Sequence, residues 1–204
     1  MDEKIKTLTE NLNRRNIATH YFETLEEAKN KILDIIPKDS TIGIGNSKTL
    51  KEMGISGTLS GRGNIVYDKT LAKTKEAMKL MKKQALLTDW YISGTNAISM
   101  DGYIVNIDHS GNRVAAMIYG PDNVIIVIGT NKIVNTLEDA MHRARYHSVP
   151  LNAKRAGYNP PCLELKKCVD CNPEHRVCFN IVTIEGQYEP DRMQVFIVNE
   201  ELGF

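Results

Sequence analysis

NVIIVIG, residues 123–129, contains an unbroken apolar run, Val124 to Ile128. Every residue of that run is β-branched, which suits extended backbone, and the run has no polar alternation, so both faces of the strand it forms are buried. A strand covered on both faces belongs to a parallel sheet with helices on each side. The fold class expected is therefore α/β, an open and mostly parallel sheet flanked by helices. The run is also strand-sized, too short to cross a bilayer.

Working outward, Gly120-Pro121-Asp122 reads as a turn before this strand and Arg113 to Ile118 as a short helix before the turn. After it, Ile133, Leu137, Ala140, Met141 and Ala144 share one helical face up to a stop at Pro150. Upstream the alternation of helix and strand repeats. Ile5, Leu8 and Leu12 stripe a helix, and Ile17 to Phe22 is a strand. Thr24 and Glu27 have capping-box spacing ahead of Leu25, Ala28, Ile32 and Ile35. Thr41 to Gly45 is a buried strand and Asn46 to Met53 a helix. Asn64 to Asp68 gives another strand, and Leu71, Thr74, Met78, Met81 and Ala85 stripe a long helix rich in lysine. That lysine run suits a phosphate-binding surface or, as preferred here, a solvated helix face. Trp90 to Ser93 is the next strand. Ala97 to Met100 and Tyr103 to Ile107 flank Asp101-Gly102, a pair that favours a type I′ hairpin. In the tail, Asn180 to Ile184 and Gln194 to Val198 are β-rich and pair with each other or extend the sheet. The organisation expected is an α/β body over 1–158 with a hairpin insertion, then a Cys-rich tail over 159–204 that completes or extends the same domain.

With 204 residues the chain can bury a substantial core. Hydrophobic residues at 42% and charged residues at 25% are ordinary for a folded protein and argue against disorder or a coiled coil. Lys and Arg number 26 against 25 Asp and Glu, a net charge of +1, so no global field recruits nucleic acid or anionic lipid. The charged opening MDEKIKTLTENLNRRN lacks a signal-peptide or membrane pattern, and a cytoplasmic location with no membrane partner is expected.

Two polar constellations interrupt the apolar strands. TIGIGNSKTL places Gly43, Gly45, Asn46, Ser47 and Thr49 where a buried strand ends and a helix begins. Open amides and hydroxyls there can hold a phosphate or carboxylate, although the same residue types make an ordinary capped turn. The spacing matches neither a Walker loop nor a dinucleotide fingerprint, so no nucleotide cofactor is expected. The second constellation is Gly94, Thr95, Asn96, Asn106, Asp108, Gly111, Asn112 and Arg113. Ligands of open α/β sheets bind beyond the carboxyl ends of the strands, and these residues suit a polyhydroxyl or carboxylate ligand, with turn chemistry as the alternative. Asp108 is placed to act as acid or base and Arg113 to clamp an anion.

The segments GIGNSKTLKEMGI and TDWYISGTNAISMDGYIVNIDHSGNRVAAMIYGPDNVIIVIGTNKIV resemble the LUD domain of lactate-utilisation proteins over nearly the whole chain, with GTNAI and the later IGTNKIV the most specific blocks. The resemblance implies the fold shared by ribose-phosphate isomerase, glucosamine-phosphate deaminase and coenzyme A transferases. It also implies a link to lactate oxidation, with other lactate-oxidation components as partners, while the two constellations themselves point to a small anionic metabolite as ligand. The hairpin block is similar, more distantly, to the segment with which methylthioribose-phosphate isomerases bind sugar phosphate. Glu52 is the nearest positional match to a coenzyme A transferase glutamate, and a surface glutamate is the commoner explanation. A sugar-phosphate isomerase or transferase is thus one alternative function and a non-catalytic iron–sulfur redox or assembly component another; an oligomer is compatible with each.

All four cysteines, Cys162, Cys168, Cys171 and Cys178, fall in one short stretch stiffened by Pro160, Pro161 and Pro173 and accompanied by Lys166, Lys167 and Arg176. The C-x5-C-x2-C-x6-C spacing is not that of a ferredoxin. Four thiolates suit one metal centre, zinc or an iron–sulfur cluster; free thiols or a redox disulfide are the alternatives. His175 is a spare ligand or a plain loop residue.

Overall fold

The computed structural model describes residues 2–204. The chain opens with α1 (Glu3–Asn13), capped by Asp2, followed by β1 (Ile17–Phe22) and α2 (Leu25–Ile35). The capping box of α2 is present in both directions: Glu27 N–H donates to Thr24 Oγ1 at 3.2 Å, and the Glu27 carboxylate accepts from Thr24 N–H. Such a cap contributes about 1 kcal/mol. β2 (Thr41–Ile44) runs into α3 (Lys48–Met53), and Gly54 at φ 66° turns the chain into α4 (Ile55–Gly61). β3 (Ile65–Asp68), α5 (Lys75–Gln84) and β4 (Trp90–Ser93) follow. The hairpin is β5 (Ala97–Ser99) and β6 (Ile104–Asp108). Then come α6 (Asn112–Ile118), β7 (Asn123–Gly129), β8 (Ile133–Val134), α7 (Leu137–His142), a π-helical turn over 143–148 and α8 (Val149–Arg155). The tail contributes α9 (Cys162–Leu165), β9 (Asn180–Ile184) and β10 (Met193–Val198).

The main sheet has six strands in the order β1-β10-β7-β4-β2-β3, and every pairing is parallel. β7 lies inside it, and its side chains alternate strictly between two cores. Val124, Ile126 and Ile128 pack with α1, α6 and the inner face of the hairpin; Ile125 and Val127 pack with α2, α3 and α4. This is the arrangement that NVIIVIG requires, since a helical layer covers each face. No helix among the described residues is long and apolar enough to cross a membrane.

Several local expectations change. The hairpin is not a simple insertion: it forms the centre of a second sheet, β8-β5-β6-β9, with Ala97, Val105 and Ile107 packed against α7 and the π turn. The two tail strands do not pair with each other. β9 joins this second sheet antiparallel to β6, whereas β10 inserts between β1 and β7. Between β5 and β6 only Gly102 has positive φ, at 87°, and Ser99 N–H donates to Tyr103 O, so the hairpin loop needs one left-handed residue rather than the two of a type I′ turn. The lysine-rich helix is shorter than its stripe: Thr74 caps α5, Leu71 lies outside it and none of its residues is buried. Ile133 is strand, because Thr136 starts α7 with its own capping box. Pro150 does not stop the helix. It occupies the first turn of α8, directly after the π turn, a position where proline is tolerated.

Candidate functional site

A cavity of about 390 Å³ opens beyond the carboxyl ends of β2, β3, β4 and β7. The segments following these strands wall it: Asn46 and Ser47 after β2, Lys69 and Thr70 after β3, Gly94 to Asn96 after β4, and Lys132 after β7. Both sequence constellations therefore meet in one hollow. Of their members, Asn46, Ser47, Gly94, Thr95, Asn96, Asp108 and Arg113 line it.

Gly43, Gly45, Thr49, Asn106, Gly111 and Asn112 do not. Gly43 and Gly45 let neighbouring strands approach: a Cβ at Gly43 would stand 2.7 Å from the Tyr91 ring, and one at Gly45 would collide with Ser93 Oγ. Gly111, at φ 79°, is the left-handed residue that starts α6, and Asn112 accepts from Ser110 Oγ. Ser47 precedes α3 without a side-chain capping bond, and α3 is only six residues long. The anion reading thus does not rest on that helix end.

Arg113 organises the floor. Its Nε donates to Asp108 Oδ1 at 3.0 Å, Nη1 to Gly94 O and Asn106 Oδ1, and Nη2 to Asn96 Oδ1 and Ile107 O. The planar fork ties α6, β6 and the segment after β4 into one unit. Its donors are thereby consumed, so Arg113 positions the site rather than clamping a ligand. Asp108 is equally occupied, since its other oxygen accepts from Gly111 N–H at 2.8 Å. Thr95 Oγ1 reaches Val105 O and Asn106 Oδ1, each at 3.0 Å, and locks the same turn. Glu52 lies outside the lining; its carboxylate pairs with Lys48 at 3.3 Å, one turn away along α3.

The residues that sequence reading missed are cationic. Lys132 is 3% exposed, lines the hollow and takes part in none of the ion pairs among the described residues. Burial, with repulsion from Arg143 and Arg113 added, pushes its ammonium down to about 7. Lys69 is also lowered, first by burial and then by Lys82, which lines the same space. Arg155 from α8 holds the Asn46 side chain at 3.0 Å, while its Nε is buried without a partner. Thr49 Oγ1 is buried and unpartnered too, and it converges with Lys132 Nζ on Gly203. Lys48, Lys69, Lys82, Arg113, Lys132 and Arg155 thus line the hollow with one acidic side chain, Asp108. The near-zero net charge of the chain conceals this local field.

One signal would have found two of them. Lys69 and Lys132 stand just beyond the carboxyl ends of β3 and β7, the same position that directed attention to Asn46 and Asn96. Arg143 and Arg155 carry no such mark. Arg143 reaches back 47 residues to Asn96 O at 2.6 Å, and Arg155 reaches back 109 to Asn46, distances in sequence that only the fold closes.

The cysteines lie in a different cavity of about 460 Å³, bounded by α8 and the tail, and all four line it. Each is a free thiol of intermediate exposure. Among the described residues no three His, Cys, Asp or Glu side chains are gathered closely enough to grip one ion. His175 is not part of the lining.

Comparison with solved structures gives a match to the crystal structure of a DUF162 family protein from Deinococcus radiodurans at 1.70 Å resolution, with TM-score 0.56 and 15% identity over 97% of each chain. At that identity the likeness concerns the fold. Comparison with curated proteins gives no match. The sequence model of the LUD domain matches residues 5–198, from α1 through β10. The chain belongs to the LUD domain family.

Proposed function

We propose that this chain binds a small anionic metabolite in the hollow at the strand ends, in a setting linked to lactate utilisation or related redox metabolism. The carrying observation is Lys132, a buried amine in none of the ion pairs among the described residues, facing a cavity whose wall is cationic. Burying a cation without a partner is unfavourable, and an incoming carboxylate or phosphate supplies the missing charge. Near pH 7 the amine is poised, so anion binding brings a proton with it. Ser47, Thr70 and Asn96 add polar contacts suited to hydroxyl groups, and Arg113 holds Asn96 in place.

Asp108 and Glu52 are each tied to a cation, so an isomerase or transferase reaction in this hollow would draw its proton transfer from Lys132. The lactate setting makes small hydroxy- and oxo-carboxylates the first ligands to test, with sugar phosphates second. Calorimetric titration of both groups against the wild-type chain and Lys132→Met decides the matter. The expected result is saturable binding that weakens at least tenfold in the variant. Absence of binding across both groups, or equal binding by the two proteins, overturns the proposal.

A further inference from the structure

We propose that Cys162, Cys168, Cys171 and Cys178 together hold one iron–sulfur cluster in the second cavity. The four thiols are spread over up to 16 residues of sequence, yet each lines the same cavity. A single tetrahedral zinc ion draws its thiolates to about 2.3 Å and leaves no room between them. Here the four thiols line a cavity of about 460 Å³, which leaves space for bridging sulfides as well as metal. Lys166 and Asp170, neither of them glycine, adopt φ of 54° and 47° in the loop that carries Cys168 and Cys171.

The charge of the wall fits the same occupant. Four thiolates with a cluster carry net negative charge, and the cavity supplies Arg145, Lys166, Lys167 and Arg176 against Asp170. Arg145 Nη1 lies 3.6 Å from Cys168 Sγ, near enough to donate to a ligating sulfur, while Arg176 Nε braces the loop by donating to Cys171 O at 2.9 Å. Hydrogen bonds to ligand sulfurs are a recognised means of tuning such centres. Tyr146, Phe179 and Ile181 supply apolar wall.

The test uses the full chain, purified anaerobically and incubated with iron salts, sulfide and dithiothreitol, then desalted. The expected product is brown, retains iron and acid-labile sulfide in equal amounts, and loses its visible absorption on reduction with dithionite. The quadruple Cys→Ser chain should retain neither element, and each single Cys→Ser variant should retain less than the wild type. A folding control accompanies them: circular dichroism of the quadruple variant should match the wild type. Lys132→Met should load as much iron as the wild type, so failure of the anion site and failure of the cluster are read separately. A colourless wild-type product, retention of zinc in preference to iron when both are offered, or equal iron on the quadruple variant overturns the proposal.

Discussion

The hollow at the strand ends and the cysteine cavity are of similar size and share Val149 and Val177 in their walls, yet they are constructed differently. The hollow at the strand ends is framed by parallel strands, and its floor is pinned by one guanidinium engaged with Asp108, Gly94, Asn106, Asn96 and Ile107. The cysteine cavity is bounded on one side by a tail whose stretch from Ala156 to Phe179 contains one four-residue helix and no strand. Backbone hydrogen bonds and buried contacts set the free energy of local opening. The first cavity is therefore preorganised by the fold, whereas the second draws more of its shape from whatever its thiols hold.

Four measurements sharpen or break that contrast. The largest effect is expected for Arg113→Ala, which strands the Asp108 carboxylate and several carbonyls; a loss of about 3–5 kcal/mol is typical of such a removal. The midpoint of thermal unfolding should fall by roughly 6–20 °C for a chain of this size. Quadruple Cys→Ser replacement in metal-free protein should change stability by no more than about 1 kcal/mol. The reverse order in a denaturation series would erase the distinction between the two cavities.

Next in size, Lys132→Met should do two opposite things. Removing a buried amine in favour of an apolar chain of similar length should stabilise the ligand-free protein by about 1–3 kcal/mol. Anion affinity should fall at least tenfold, about 1.4 kcal/mol. A variant that binds less and is also less stable would assign Lys132 a structural role instead.

The third measurement is pH dependence. Lys132 has its folded value lowered to about 7 from the ordinary 10.5. Between these values the unfolded chain binds more protons than the folded one, so this residue makes stability rise with pH across the window, by at most about 1.4 kcal/mol per pH unit. Binding of a carboxylate runs the other way: it is strongest below about pH 7 and declines above it as the amine loses its proton. Titrations from pH 6 to 9 should show both slopes in the wild type, and Lys132→Met should flatten them.

The smallest effect is expected for Ser47→Ala. The side chain makes no capping bond, so stability should hold, while affinity for a hydroxylated carboxylate should drop by about 0.5–1.5 kcal/mol. Calorimetry on the same preparation reads both quantities.

How much of this was legible in the sequence follows from the range of the interactions. NVIIVIG, the Thr24 capping box and the helical stripe at Ile5, Leu8 and Leu12 are local statements about periodicity and backbone preference, and the structure carries each of them. The separate destinations of β9 and β10 are not local, since a short β-rich run has no means of naming its partner. The hollow was half legible. Strand-end polar residues direct attention to Asn46, Ser47 and Asn96, but whether Arg113 faces a ligand or its own neighbours depends on acceptors contributed by two other segments. The stripe at Leu71 to Ala85 misled because an amphipathic pattern states only that a helix has two faces. Here α5 lies over the rim of the hollow, where Met78 and Lys82 line it, instead of burying its apolar side in a core.

The π turn over 143–148 serves both cavities. Within it Arg143 points to Asn96 in one cavity and Arg145 to Cys168 in the other. A π turn accommodates an extra residue relative to ordinary helix. Excising one residue would let the segment rewind at 3.6 residues per turn and swing everything beyond it by about 100°. No such rewinding could keep both guanidiniums on target, so the length of this six-residue segment is a shared dimension of the two chambers, as a hinge pin is common to two leaves.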